Sequence, residues 1–259
     1  MTALLQLLTW GALAMVVLFL GAWAVLLRTD NAGWVDVAWG FGLGVLAVLY
    51  AVLGPGWPLR RELVGILGGL WGLRLGLHLA LRAAGSSEDA RYTSLRRRWG
   101  GHIPFKFLGF FLFQGLLELA LAWPFLVACL DPGPRLHGLA WAGAAVWAAA
   151  LAGEALADAQ LRRFKAGSHG PVCNTGLWRW SRHPNYFFQW LAWTGCCLLA
   201  LPSPLGWTTV ASPLLILFLL LRVTGIPATE AQALASRGDA YRQYQRTTSA
   251  FIPWPARRT

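Results

Sequence analysis

Charged and strongly polar side chains stand inside stretches that are otherwise apolar, and their chemistry frames the reading of this sequence. Asp36 lies near the start of one such stretch, in Trp34-Val35-Asp36-Val37-Ala38-Trp39-Gly40. Arg74 and His78 fall four residues apart in the next, with Arg82 a further turn along, so all three share a helical face. Gln114 and Glu118 repeat that spacing, as do Glu154 and Asp158. An ionisable group in a membrane span costs about 2.5–3.5 kcal/mol to insert, which makes each one a functional candidate. A desolvated carboxyl has its pKa raised. Asp36 is therefore a candidate to carry a proton and to donate it.

The polar connections carry a second chemistry. Ser86-Ser87-Glu88-Asp89-Ala90-Arg91-Tyr92 alternates charges and ends in a phenol, ahead of the basic run Arg96-Arg97-Arg98. Further on, Asp158, Arg162 and Lys165 lie near one helical face, and the chain then breaks at Gly167 and Gly170-Pro171. It continues as Asn174-Thr175-Gly176-Leu177-Trp178-Arg179-Trp180-Ser181-Arg182-His183-Pro184-Asn185-Tyr186. Arginine forks bind phosphate oxygens bidentately, so this concentration of Arg, His, Asn and Tyr suits an anion carrying phosphates and a polar ring.

The elements that position these groups follow from composition. Of 259 residues, 56% are hydrophobic and 13% charged, against about a quarter charged in soluble domains. Apolar stretches at roughly 3–27, 33–54, 62–83, 105–130, 136–157, 186–202 and 206–226 are long enough, or nearly so, to cross a hydrocarbon core of about 30 Å. In lipid they must be helices, because only a helix satisfies its own backbone. The expected fold is thus an all-α integral membrane protein of seven transmembrane helices. Seven spans put 18 of the 22 Lys and Arg residues on one side, from Arg28 to Arg258, and only Arg60, Arg61 and Arg135 on the other. The positive-inside rule then sets the N terminus outside and the C terminus in the cytoplasm. Membrane lipid, rather than nucleic acid, accounts for the net charge of +11. Thr2–Leu27 lacks a basic leader and reads as a span rather than a cleaved signal. Cys129, Cys173, Cys196 and Cys197 form no metal-ligand spacing and read as small buried side chains, with no metal site. The glycines at 40, 42 and 44 and at 65, 68, 69 and 72 lie within spans, which points to close helix packing.

The segment Trp178-Arg179-Trp180-Ser181-Arg182-His183-Pro184-Asn185-Tyr186 resembles the signature shared by membrane steroid reductases, sterol C14 reductases and isoprenylcysteine carboxyl methyltransferases. The tail, with Glu230, Tyr241, Tyr244, Arg246, Ile252 and Pro253, is similar to the closing pattern of that superfamily. In the N-terminal half, the segments around Asp36 and Arg91-Tyr92 resemble the bacterial branch allied with steroid 5-alpha-reductases.

That resemblance implies an NADPH-dependent enzyme of the bacterial inner membrane, a monomer, reducing the carbon–carbon double bond of a 3-oxo-delta-4 steroid or similar lipophilic enone. It implies that residues 1–130 enclose the apolar substrate and residues 131–259 hold the cofactor. Asp36 matches the family's catalytic Glu by location, and Tyr92 stands in for its Tyr, with His78 assisting. Cofactor residues are expected at Arg91, Asp158, Arg162, Lys165, Arg179, Arg182, His183, Asn185, Tyr186, Glu230 and Tyr244. Trp39, Trp71, Arg74, Gln114 and Glu118 are expected to face the substrate. The alternative implied by the same superfamily is an S-adenosylmethionine-dependent methyltransferase acting on an isoprenylcysteine or a phospholipid.

Overall fold

The structure is a computed structural model that describes residues 2–85, 88–167 and 170–256. Ser86, Ser87, Arg257 and Arg258, used in the sequence reading above, lie outside the described residues. Ten α-helices follow one another: α1 (Thr2–Thr29), α2 (Trp34–Leu53), α3 (Pro58–Ala84), α4 (Ala90–Trp99), α5 (Ile103–Leu121), α6 (Trp123–Leu130), α7 (Gly138–Ala166), α8 (Pro184–Ala200), α9 (Ala211–Phe218) and α10 (Ile226–Thr247). Among the described residues there is no strand, only an isolated bridge between Ser181 and Ser249.

Six helical stretches are long and apolar enough to cross a membrane: α1, α2, α3, α5, α7 and the run Gly206–Thr247. The chain is an integral, multi-pass membrane protein. At 17 residues, α8 is shorter than these six. The apolar stretch at 105–130 is not one helix, because Pro124 in the first turn of α6 forces a restart after Ala122. The stretch at 206–226 is likewise pieced together, from a 3₁₀ turn (Gly206–Val210), α9 and a π turn (Leu219–Val223). Beyond it α10 turns polar, with Glu230, Arg237, Asp239, Arg242 and Arg246.

The chain divides into two compact units, Met1–His137 with Ala200–Thr209, and Gly138–Leu199 with Val210–Thr259. In the first, α1 turns Leu7, Gly11, Met15 and Phe19 inward at every fourth residue, while Val16 and Val17 stay exposed as a lipid-facing surface. The tightest contact joins α2 to α3. A methyl group at Gly44 would sit 3.0 Å from Gly72 Cα, one at Gly72 would sit 2.5 Å from Gly44 Cα, and one at Gly40 would meet Gly76 N at 2.7 Å. Small residues let the two backbones touch, as sequence spacing led us to expect. At the far end of α2, Arg60 is buried against Asp131 (2.6 Å) and also donates to the carbonyl oxygens of Asp131 and Arg135.

In the second unit α7 and α8 approach as closely. A methyl at Gly143 would lie 2.4 Å from Leu199 N, and one at Gly195 would lie 2.6 Å from Trp147 N. The chain after α10 folds back on the segment before α8: Arg182 N donates to Ser249 O (2.8 Å), Ser181 Oγ to Phe251 O (2.8 Å) and Trp254 N to Trp180 O (2.9 Å). Gly238, at φ 54° and ψ −129°, breaks α10 in a conformation open to glycine and costly for other residues.

The α2–α3 contact can be tested directly. Gly72→Leu is expected to destabilise the protein by at least about 1–3 kcal/mol, the usual cost of overpacking, read as a lowered thermal midpoint in detergent. Gly21→Ala, where nothing lies within 4 Å, is expected to leave the midpoint unchanged.

Candidate functional site

In the first unit, the start of α2 and the start of α4 meet through Asp36. The Tyr92 hydroxyl donates to Asp36 Oδ1 at 2.6 Å, and Arg91 Nη2 pairs with Asp36 Oδ2 at 2.9 Å. Arg91 is held in turn by Asp89 (3.0 Å), which also pairs with Arg82 at the end of α3 (2.8 Å) and caps α4 by accepting from Arg91 N. A second clamp lies beside it. Glu88 accepts from Ala32 N (2.8 Å) and from Arg96 Nε (3.0 Å), and Arg96 reaches Asp30 (2.9 Å). Both clamps anchor the connection that carries Tyr92.

Tyr92 itself is buried, its ring edge-on to Phe107 and Phe110 of α5. Burial, and then the carboxylate of Asp36 beside it, push its phenol well above the ordinary value. Burial works to raise the Asp89 carboxyl as well, but the hydrogen bonds from Arg91 outweigh it and hold that group below the usual carboxylate range. Sequence reasoning expected Asp36 to donate. In the structure Asp36 accepts from Tyr92 and pairs with Arg91, so the phenol is the hydrogen-bond donor of the pair.

The remaining first-unit candidates sit around this end of the bundle or deeper in it. Arg74 and His78 are half-buried on α3 and are engaged, as is the buried Trp71. Trp39 is half-buried on α2 and Gln114 half-buried on α5. Glu118 is fully buried, and neither of its carboxyl oxygens has a hydrogen-bond partner. Its carboxyl fills the notch left by Gly42, where a methyl group would sit 2.0 Å from Oε2.

The second unit gathers Arg182, His183 and Glu230 into one network. Arg182 Nε pairs with Glu230 Oε1 at 2.6 Å, and its Nη1 donates to the carbonyl oxygens of Gln245 and Thr248. His183 Nε2 lies 3.3 Å from Glu230 Oε1, Gln245 Nε2 donates to Glu230 Oε2 at 2.9 Å, and the Tyr241 hydroxyl reaches Oε1 at 3.5 Å. Tyr186 stacks on His183 with ring centroids 5.3 Å apart and shares a 3.1 Å hydrogen bond with Thr229. Tyr244 donates to the carbonyl of Trp178. Asn185 is half-buried at the start of α8, Arg162 is exposed on α7, and Asp158 and Lys165 are engaged.

Arg179 belongs to a different environment. It is exposed, makes no hydrogen bond or ion pair among the described residues, and lines a cavity of about 430 Å³ with Asn174, Gln243, Tyr244, Thr247 and Thr248. Among the described residues no group of three or more His, Cys, Asp or Glu side chains could hold a metal ion. The partners that sequence reasoning did not single out for the site are Glu88, Asp89 and Gln245. An Asp directly ahead of a short polar helix is the capping signal that could have found Asp89.

The sequence pattern of a family described as a protein of unknown function, DUF1295, matches residues 22–248. The chain belongs to that family. An uncharacterized protein of Schizosaccharomyces pombe is 26% identical over 263 residues, covering 89% of this chain and 75% of the yeast protein. No solved structure matches. The residues of both networks fall within the stretch that defines the family, since Asp36, Tyr92, Arg182 and Glu230 all lie between residues 22 and 248.

The Glu230 network sets an acid limit. Burial alone would raise this carboxyl, but hydrogen bonds from His183 and Arg182, with the charge of Arg182, pull it from 4.5 down to about 2. A depressed carboxylate gives its full stabilisation above 4.5 and loses it as pH falls toward about 2. Thermal unfolding followed over that interval is expected to show a falling midpoint, with a shallower pH dependence in Glu230→Gln.

Proposed function

We propose that this chain is an NADPH-dependent reductase of a lipophilic enone, such as a 3-oxo-delta-4 steroid. The observation that carries the reading is the 2.6 Å hydrogen bond between Tyr92 and Asp36. It joins two residues far apart in sequence: Asp36, which matches the family's carbonyl-polarising Glu by location, and Tyr92, which stands in for its Tyr. Within the reading, α8 counts as a seventh span, the N terminus lies outside and the C terminus in the cytoplasm of a bacterial inner membrane, and the protein acts as a monomer.

In this reading the enone carbonyl docks at the Tyr92 hydroxyl. When bound, NADPH supplies the hydride that reaches the β carbon. Negative charge then builds on the carbonyl oxygen, and a donor fixed in a dry site stabilises that charge far better than water does. Tyr92 becomes that donor when its one hydroxyl proton turns from Asp36 Oδ1 to the carbonyl oxygen, which leaves Asp36 paired with Arg91. Until then Asp36 accepts that proton and fixes the phenol oxygen, Arg91 holds Asp36, and Asp89 holds Arg91. His78 assists from α3. The α carbon takes its proton from water, which completes the addition of two hydrogens.

In this reading the second unit holds the cofactor. Arg179 carries an uncommitted guanidinium beside the amides of Asn174 and Gln243 and the hydroxyl of Thr247, in a cavity of about 430 Å³. That volume lies in the range of small-molecule sites, and Arg is the natural partner of a phosphate. Arg162, Lys165, Asn185 and Tyr186 are the further residues that would hold it, with Arg182 and His183, already paired with Glu230, fixing the wall of the site.

The test is NADPH oxidation by the detergent-purified chain, with and without a 3-oxo-delta-4 steroid, the product being weighed by mass spectrometry. A steroid-dependent rate and a product two hydrogens heavier are expected. Tyr92→Phe and Asp36→Asn are each expected to lower kcat by roughly 10²-fold or more. Binding of S-adenosylmethionine with no response to NADPH would replace the reductase by the methyltransferase.

A further inference from the structure

The reading above leaves one buried group unused. Glu118 has no exposed surface and, among the described residues, no hydrogen-bond partner on either carboxyl oxygen. Buried polar groups are almost always paired, because leaving one unpaired forfeits its hydration with nothing in return. Gly42 is glycine for a related reason: any side chain there would displace the carboxyl, since a methyl group would sit 2.0 Å from Oε2 and 3.0 Å from Oε1. The sequence therefore keeps an expensive group and a notch to hold it.

Its position relative to the acid is set by two helices. On α5, Phe107, Phe111, Gln114 and Glu118 follow one another at spacings of four, three and four residues, so they share a face. Phe107 packs edge-on against the ring of Tyr92. The face that begins at the proton donor thus runs on to Gln114 and ends at Glu118. Along α2 the separation is six residues, from Asp36 to Gly42, or about 9 Å at 1.5 Å per residue. A rigid polycyclic skeleton with an oxygen at each end has that kind of length.

We infer that Glu118, with Gln114 beside it, binds a second oxygen of the substrate, a hydroxyl or ketone at the end opposite the enone. This deepens the reductase reading and rests on it for the placement of the enone carbonyl. A carboxyl group can accept from a hydroxyl, and in its acid form it can donate to a ketone. The substrate class is therefore a flat lipophilic enone oxygenated at both ends, in preference to one oxygenated only at the enone.

Two steroids separate the possibilities: 4-androsten-3-one, and the same skeleton with a 17β-hydroxyl. Their dissociation constants are measured on the detergent-purified full chain from quenching of its tryptophan fluorescence, and NADPH consumption is followed in parallel. The hydroxylated steroid is expected to bind about tenfold more tightly to the wild type, the ratio that one hydrogen bond supports. In Glu118→Met, which keeps the volume and removes the polarity, the two constants are expected to converge. Gln114→Leu narrows the ratio in the same direction and serves if Glu118→Met does not fold. Equal constants in the wild type, a ratio unchanged in the variants, or no binding of either steroid would overturn this inference. A ratio that collapses in the variants while neither steroid consumes NADPH would uphold the inference and overturn the reductase reading instead.

Discussion

The backbone contact of α2 with α3 governs the geometry of the first unit. Four glycines, at positions 40, 44, 72 and 76, leave the two helices no room to slide or rotate, since each added methyl would strike the partner's backbone or, at Gly76, the Phe41 ring. The end of α2 that carries Asp36 is thereby fixed against the end of α3 that carries Arg82. Arg82 anchors Asp89, Asp89 caps α4 and orients Arg91, and the first turn of α4 delivers Tyr92 to Asp36. A contact between glycines, with no chemistry of its own, thus helps to place a 2.6 Å hydrogen bond between two residues 56 positions apart in the chain. Exposed ion pairs contribute little to stability. Those of Arg82 and Arg91, which lie partly exposed, are better understood as restraints on where α4 starts.

Much of this was legible from the residues. Apolar length and the absence of strand patterning gave the helical membrane class, because lipid leaves the backbone no other choice. Asp36 and Tyr92 stood out as polar groups next to apolar spans, and the structure brings them into contact. What was not legible depends on pairing across distance. Arg60 reads as one of two adjacent basic residues in a loop, yet it is buried against Asp131, 71 positions on, and nothing local announces that partner. The role of Asp36 as acceptor could not be read either, because its partners Arg91 and Tyr92 are neighbours only in space. Helix breaks at Ala122 and within 206–226 were hidden for a different reason. Hydropathy is blind to prolines and to π turns that leave composition unchanged.

The second unit shows how one motif divides between structure and ligand. Arg182 and His183 lie in the stretch that resembles a cofactor signature, but their polar groups are directed at Glu230 and at the backbone of the folded-back tail. Such a network is satisfied internally and makes a rigid wall. Arg179, three residues earlier, has no partner among the described residues and opens on a cavity. A charge already paired offers a ligand only exchange, whereas an uncommitted guanidinium beside amides and hydroxyls offers new bonds. The motif's rigid part and its receptive part are therefore adjacent in sequence, Arg179 closing the 3₁₀ turn and Arg182 following three residues beyond it.

The two carboxyl groups of the first bundle illustrate the same distinction in the membrane. Asp36 accepts from a phenol and pairs with a guanidinium, so its burial is compensated and its position is narrow. Glu118 has neither, and the glycine opposite it only makes room. A paired carboxyl can be retained for geometry alone. An unpaired one lowers the stability of the empty protein, and substitution by an apolar side chain of the same volume would relieve that strain at once. In the reading proposed above, the partner that Glu118 lacks among the described residues is the second oxygen of the lipophilic substrate.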